Sequence, residues 1–356
     1  MGRAKLRTFC EAVARATRIG VHHAARGSSS TKNFDEPIIW TQRKVFPVLR
    51  PSAGINPLLP TLRGDAVQEF ISELIRGDKP CMVARFGGIE LDAISRGVYI
   101  ARDGGVVHKA LELLKGEIGP FWWDHSVRAG VCWNAGFFPP DIPALERYSH
   151  MSCEDSRQLD LLATYPWANG LRLLSRTYFP SVRVCNLGDL DFYRFDHPWT
   201  AALAGRKVLV IHPFADTIKG QYARREELFS NPEILPKFDL QVYRSVSSFS
   251  GIKTEFKDWF EALDKMKSDI AKLDFEVALI GCGAYGFSLA AFIKRDLGRK
   301  AIHLGGVTQV LFGIRGRRWD ARPTFANRFY NSAWVRPFPS DIPGESVMTV
   351  EGGCYW

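Results

Sequence analysis

The sequence has no apolar run near the roughly 20 residues a helix needs to cross a bilayer. Cysteine is sparse: Cys10, Cys81, Cys132, Cys153, Cys185, Cys282 and Cys354 are scattered, odd in number, and form no C-x-x-C pair. This excludes a disulfide framework or a cysteine zinc site and fits thiols kept reduced in a cytoplasmic protein. The Ser-His-Asp and H-E-x-x-H patterns of hydrolases are not recognisable, and no repeats or low-complexity tracts occur beyond residue 35. Acidic residues are scarce at one end. Residues 1–50 hold ten Lys/Arg against three Asp/Glu, which accounts for seven of the nine net positive charges. The remainder is close to neutral, so nucleic acid is not an expected partner.

What remains is an ordinary globular composition, 46% apolar and 24% charged, in a chain of 356 residues. Residues 1–35 read as a basic extension. Leu6, Phe9, Val13, Ala16 and Gly20 recur at helical spacing among arginines. Such a helix could rest on an anionic membrane surface; a solvated extension is the other reading. GSSSTKN at 27–33 reads as a flexible linker, and the Pro-rich stretch 34–63 as a surface wrap.

The sequence is organised around residues 273–306. Val277–Ile280 is a short apolar strand, followed by the glycine turn Gly281-Cys282-Gly283-Ala284-Tyr285-Gly286, a helix over 287–297 and a strand over 300–304. Glycines there let backbone N–H groups approach an anion, and a helix N-terminus adds partial positive charge. A nicotinamide dinucleotide would need a carboxylate about 20 residues further on. The second strand ends instead in His303-Leu304-Gly305-Gly306. A phosphate-facing turn is therefore expected, with a tight packing turn as the alternative.

Around this unit the pattern predicts strands over 81–86, 127–133 (VRAGVCW), 182–187, 207–213 and 241–246. It predicts helices over 66–76, 107–116, 221–229 and 255–273. Arg85 and Glu90 flank the glycines that end the first strand, as an ion pair or as ligand-facing groups. Asp189-x-Asp191 follows another strand and reads as a metal pair or a solvated loop. His212 ends a strand before a loop of anion-handling character. Gly305, Gly306, Gln309, Arg315 and Arg318 follow the last strand and could line a phosphate or sugar site. Tyr330, Trp334, Phe338, Tyr355 and Trp356 make the tail aromatic.

Three segments together resemble the GT-D type of bacterial glycosyltransferase and its polysaccharide-biosynthesis relatives. Arg85-Phe86-Gly87-Gly88-Ile89-Glu90 is similar to that family's R-F-G-D-G-E. Residues 279–287 with the following helix resemble its strand, glycine turn and helix, and KAIHLGG at 300–306 resembles the next strand and turn. HPFADTIKGQY (212–222) and EGGCYW (351–356) extend the likeness. The resemblance implies one α/β domain over 36–356, an open, mostly parallel sheet with helices on both faces, Rossmann-like. It implies sugar transfer from a nucleotide sugar to a glycan or lipid-linked acceptor. Of the family's metal-contacting D-x-E pair only Glu90 carries over, because Gly88 stands at the Asp position and Ile89 between them. Asp92 is the nearest substitute.

The expected site is therefore as follows. Glu90 and Asp92 hold Mn²⁺ or Mg²⁺ or donor hydroxyls. His212 acts as base. Arg85, Gly87, Gly281, Gly283, Tyr285, Gly286, His303, Gly305, Gly306, Gln309, Arg315 and Arg318 surround the donor. A non-catalytic binding protein and an NAD-dependent enzyme are the competing readings.

Overall fold

A computed structural model describes residues 58–342, apart from 116, 167 and 169, together with 353–356. The expectations placed on residues 1–35, and nearly all of the Pro-rich stretch, lie outside the described residues.

Seven strands form one open sheet in which every pairing is parallel. In chain order the elements are α1 (Asp65–Arg76), β1 (Met82–Arg85), α2 (Gly88–Ala101), α3 (Val106–Lys115), α4 (His125–Ala135), α5 (Ile142–Asp155) and β2 (Leu161–Thr164). Then come α6 (Leu171–Tyr178), β3 (Arg183–Asn186), β4 (Lys207–His212), α7 (Ala215–Ala223), β5 (Asp239–Arg244), α8 (Trp259–Ile270) and β6 (Val277–Ile280). The chain continues through α9 (Tyr285–Arg295), β7 (Lys300–His303), α10 (Thr308–Leu311), α11 (Arg317–Asp320) and α12 (Pro323–Phe329). The strand order is β3-β2-β1-β7-β6-β4-β5.

The near-continuous apolar strands explain the parallel sheet, because both of its faces must be covered. Alternate residues feed two cores. Met82, Ala84, Leu209, Ile211, Ala278 and Ile280 pack with α4, α5, α8 and α9 on one face. Val83, Leu161, Val208, Val210, Val277 and Leu279 pack with α1, α7 and α10 on the other. Helices therefore lie on both faces, as expected of a Rossmann-like α/β fold.

Three expectations change. The helix expected over 221–229 lies instead over Ala215–Ala223, with only a 3-10 turn at Arg225–Glu227 beyond it. Residues 127–133 are helical, not extended. Asp124 caps α4 by accepting from the Val127 N–H at 3.0 Å, and Gly136 ends it in the left-handed region at φ 80°. The β-branched and aromatic content of VRAGVCW gives way to these helix-end signals, which lie outside the segment itself. The strand β2, sequence LLAT, has no β-branched run to announce it. It is placed by Asp160, which accepts from the Met82 N–H at 2.8 Å and pairs with Lys294 at 2.7 Å.

The order of the strands also fixes where a ligand can enter. The chain leaves β4 toward β5 on one side and leaves β6 toward β7 on the other, so the connections diverge above the β4–β6 boundary. A crevice opens at such a switch point, at the C-terminal ends of the strands.

Candidate functional site

A cavity of about 260 Å³ occupies that crevice. Most of its walls come from residues at, or just past, strand C-termini. Arg85 ends β1, His212 ends β4, His303 ends β7, and Ser245 follows β5. Gly281, Cys282 and Gly283 lie in the turn between β6 and α9, and Tyr285 opens α9.

Close backbone approach explains the glycines. A Cβ on Gly281 would stand 2.7 Å from the Gly305 carbonyl oxygen and 2.8 Å from Cδ2 of His212, so its absence lets three strand ends converge. Gly283 has φ +58° and lies against the Ala135 carbonyl, which accepts from the Ala284 N–H at 3.1 Å. Gly286 does not border the cavity. A Cβ there would meet Nε2 of His303 at 2.5 Å, so it sets the helix-to-sheet distance behind the wall. Tyr285 is buried, stacks on Trp259 at 5.0 Å and shares a 2.9 Å hydrogen bond with Ser248, which donates to the Gly136 carbonyl at 2.6 Å. The turn is thereby tied to the end of α4 and to the loop after β5.

Two arginines give the cavity a positive character. Arg85 donates through Nε and Nη2 to its neighbour's carbonyl, Phe86 O, at 3.2 and 2.9 Å, and Nη1 lies beside Gly305. Arg318 packs its guanidinium over the Tyr355 ring at 4.7 Å, next to Gly306. Glu90 is the carboxylate on the described wall. It occupies the third position of α2 and folds back over Gly87, where any Cβ would stand 2.0 Å from Oε2.

Both histidines of the cavity are neutral. Burial lowers His212 to about 3. Its Nδ1 accepts from the Phe214 N–H at 3.0 Å, so the ring proton resides on Nε2. This corrects the expectation of His212 as a base. A ring so reluctant to take a proton, with its free nitrogen already protonated, offers a hydrogen bond instead. Burial, reinforced by the Arg85 charge, lowers His303 to about 3 as well.

Of the residues expected at the site, Arg85, Gly87, Glu90 and His212 border the cavity, as do Gly281, Gly283, Tyr285 and His303, and Gly305, Gly306, Gln309 and Arg318. Asp92 does not. It lies two residues beyond Glu90 on a helix, where side chains do not share a face, and it pairs with Arg96 at 3.2 Å. Arg315 turns away to stack on Tyr330 at 4.7 Å. Asp189 and Asp191 form neither a metal pair nor a solvated loop. Asp189 accepts from the Asn186 N–H at 3.2 Å, and half-buried Asp191 accepts from Tyr193 and Arg194 at 2.8 and 2.9 Å.

A divalent cation held by protein needs several converging oxygens. Among the described residues no group of three or more His, Cys, Asp or Glu is placed to hold a metal. With Asp92 facing elsewhere, no second carboxylate among the described residues lines the cavity beside Glu90, so the residues present do not fit a cation held by a carboxylate pair.

Sequence reasoning missed Asn134, Ser245, Ser248 and Phe249, which line the cavity from the end of α4 and the loop after β5. It gave Trp356 only a general place in an aromatic tail. The structure seats this residue between Phe214 and Phe249, with ring centroids at 5.7 and 5.5 Å. The residue pattern around Ser245 carries no signal of its own; only the strand end before it does.

Among the described residues no helix is long and apolar enough to cross a membrane. Comparison with known protein families, curated proteins and solved structures gave no match.

Proposed function

We propose that the cavity is the donor site of a glycosyltransferase, moving a sugar from a nucleotide sugar to a glycan or lipid-linked acceptor. The observation that carries this reading is the meeting of a glycine turn, the N-terminus of α9 and two arginines at one crevice. Backbone dipoles and guanidinium groups there favour a diphosphate. The resemblance to the GT-D type adds the substrate class, a place in surface polysaccharide synthesis, and work in the cytoplasm.

In this reading the acceptor hydroxyl oxygen bonds to the anomeric carbon as the bond from that carbon to the diphosphate oxygen breaks. Glu90, the carboxylate on the wall, takes the hydroxyl proton. Arg85 and Arg318 stabilise the charge gathering on the departing nucleoside diphosphate, and His212 donates from Nε2. No step requires a cation bound by the protein.

The test is a thermal-shift panel of UDP-, GDP- and CDP-sugars, with and without Mn²⁺ or Mg²⁺, followed by donor turnover. A ligand that binds only the folded state raises the melting temperature. A shift with one nucleotide that persists without metal is the expected result; no shift with any donor would refute the reading. The departure at Gly88 and Ile89 favours a second reading, a domain that binds nucleotide sugar without transferring it. Binding without turnover would select that one.

A further inference from the structure

Besides His303 Nδ1, three neutral polar atoms of cavity-lining residues have no hydrogen-bond partner among the described residues: Ser245 Oγ, Gln309 Oε1 and Trp356 Nε1. Their side chains are at least nine-tenths buried, with 4%, 0% and 8% exposed. Each such atom costs on the order of 1–3 kcal/mol when left unpaired, so three on one wall require an explanation.

Their chemistry is fixed by what surrounds them. Gln309 directs Nε2 at backbone carbonyls, Tyr355 O at 3.2 Å and Ile314 O and Arg315 O at 3.4 Å. The amide is thereby oriented, and the remaining end is an oxygen that can only accept. Trp356 can only donate. It is held by aromatic contacts with Phe214 and Phe249 and by backbone bonds from Arg317 N to Trp356 O at 3.2 Å and from Arg318 N to Cys354 O at 3.0 Å. Ser245 can do either. A phosphate offers acceptors only and would face Gln309 Oε1 with like charge. A hydroxyl both gives and takes a hydrogen bond, so a polyol satisfies all three groups.

We infer that Ser245, Gln309 and Trp356 form a hydroxyl-reading subsite for the monosaccharide, in the cavity whose wall also carries the two arginines that face the diphosphate. The inference rests on the glycosyltransferase reading for its ligand, and the assignment of the three atoms can be tested apart from it.

The experiment compares the full chain with its Trp356→Phe and Ser245→Ala variants by calorimetric titration. The probes are UDP-, GDP- and CDP-sugars, the matching nucleoside diphosphates, and free monosaccharides. Trp356→Phe keeps the aromatic packing and removes one N–H. Ser245→Ala removes a hydroxyl that bonds to nothing among the described residues, so it leaves the fold intact and serves if the first variant fails to fold. Each variant is expected to bind the sugar-bearing ligand about three- to tenfold more weakly, with nucleoside diphosphate affinity unchanged. Unchanged sugar affinity, or equal losses with and without the sugar, would overturn the subsite. If free monosaccharides bind with this sensitivity while no nucleotide sugar binds, the subsite stands and the donor reading falls. If the wild-type chain binds none of the probes, both fall.

Discussion

Gly286 and His303 compete for one space: a Cβ on the glycine would stand 2.5 Å from Nε2 of a ring that is 5% exposed. The contact joins the first turn of α9 to the end of β7, so the cavity wall inherits the helix-to-sheet distance. Gly286→Ala must push the ring or the helix aside. Overpacking of this kind costs about 1–3 kcal/mol. Urea unfolding should show that loss, and ligand affinity should fall with it, because the displaced ring borders the cavity. An alanine variant with wild-type stability and binding would show that this space can relax.

The parts of the site that could be read from sequence share a physical cause. Strand ends in a parallel sheet converge at one edge, so Arg85, His212, Gly281 and His303 follow once β1, β4, β6 and β7 are recognised. What was not legible depends on helix phase and chain return. Asp92 fails because a two-residue offset on α2 turns it toward Arg96. Arg315 fails because an aromatic ring, Tyr330, claims its guanidinium. Ser245 and Trp356 reach the cavity by tertiary packing that no local pattern announces. VRAGVCW misleads because its caps, Asp124 and Gly136, lie outside the segment.

The helix-phase argument predicts a separation between two acidic residues close in sequence. Glu90→Gln keeps the shape of the side chain that folds over Gly87 and removes its basicity. Transfer should drop on the order of 100-fold or more, with donor binding retained. Asp92→Asn only weakens a half-exposed pair with Arg96, which keeps Asp124 as a partner at 2.8 Å. Its cost should stay within about 1 kcal/mol, and turnover should stay near wild type. Equal losses in the two variants would restore the carboxylate pair.

The arginines separate in the same way. Arg318→Ala should weaken diphosphate-bearing ligands by roughly tenfold or more, since it removes a cation from the cavity wall. Arg315→Ala removes a contact with Tyr330 and a distant pairing with Asp320 at 3.9 Å, and should leave affinity unchanged. Titration of both variants with the nucleotide that shifts the wild-type protein checks the contrast, and a larger effect from Arg315 would reverse the assignment.

Acid should unfold the protein partly through its two buried histidines. Each is lowered to about 3 in the folded state, while the unfolded chain takes up the proton near the ordinary value of about 6.5. Below that value the unfolded state binds more protons, so stability is full above about 6.5 and falls as pH drops toward 3. The slope approaches about 1.4 kcal/mol per pH unit for each histidine. Urea midpoints measured from pH 7 to pH 4 should follow this fall. His212→Asn sets Oδ1 where Nδ1 stands, keeps an acceptor for the Phe214 N–H and should reduce the slope. A slope unchanged by that substitution would mean that other groups set the acid limit.

Asp341 ties the segment after α12 to the same cavity. Its carboxylate has 0% side-chain exposure and closes the start of α7. Oδ2 accepts from the Thr217 N–H and hydroxyl at 2.7 Å each, and Oδ1 accepts from the Asp216 N–H at 3.3 Å and pairs with Arg244. Thr217 in turn accepts from the Phe338 N–H at 2.7 Å, and the Phe338 ring lies against Gly220. The helix so capped begins directly after His212, Pro213 and Phe214, which border the cavity. Asp341→Ala would leave the Thr217 N–H buried and unpaired, at a cost of about 2–3 kcal/mol. Asp341→Asn keeps an acceptor and should lose less. If the cap positions the strand end, the alanine variant should also bind ligand more weakly at a temperature where it is fully folded. Full stability in Asp341→Ala would show that α7 holds its start without the carboxylate. Lost stability with unchanged affinity would confine Asp341 to the fold and leave His212 positioned by β4 alone.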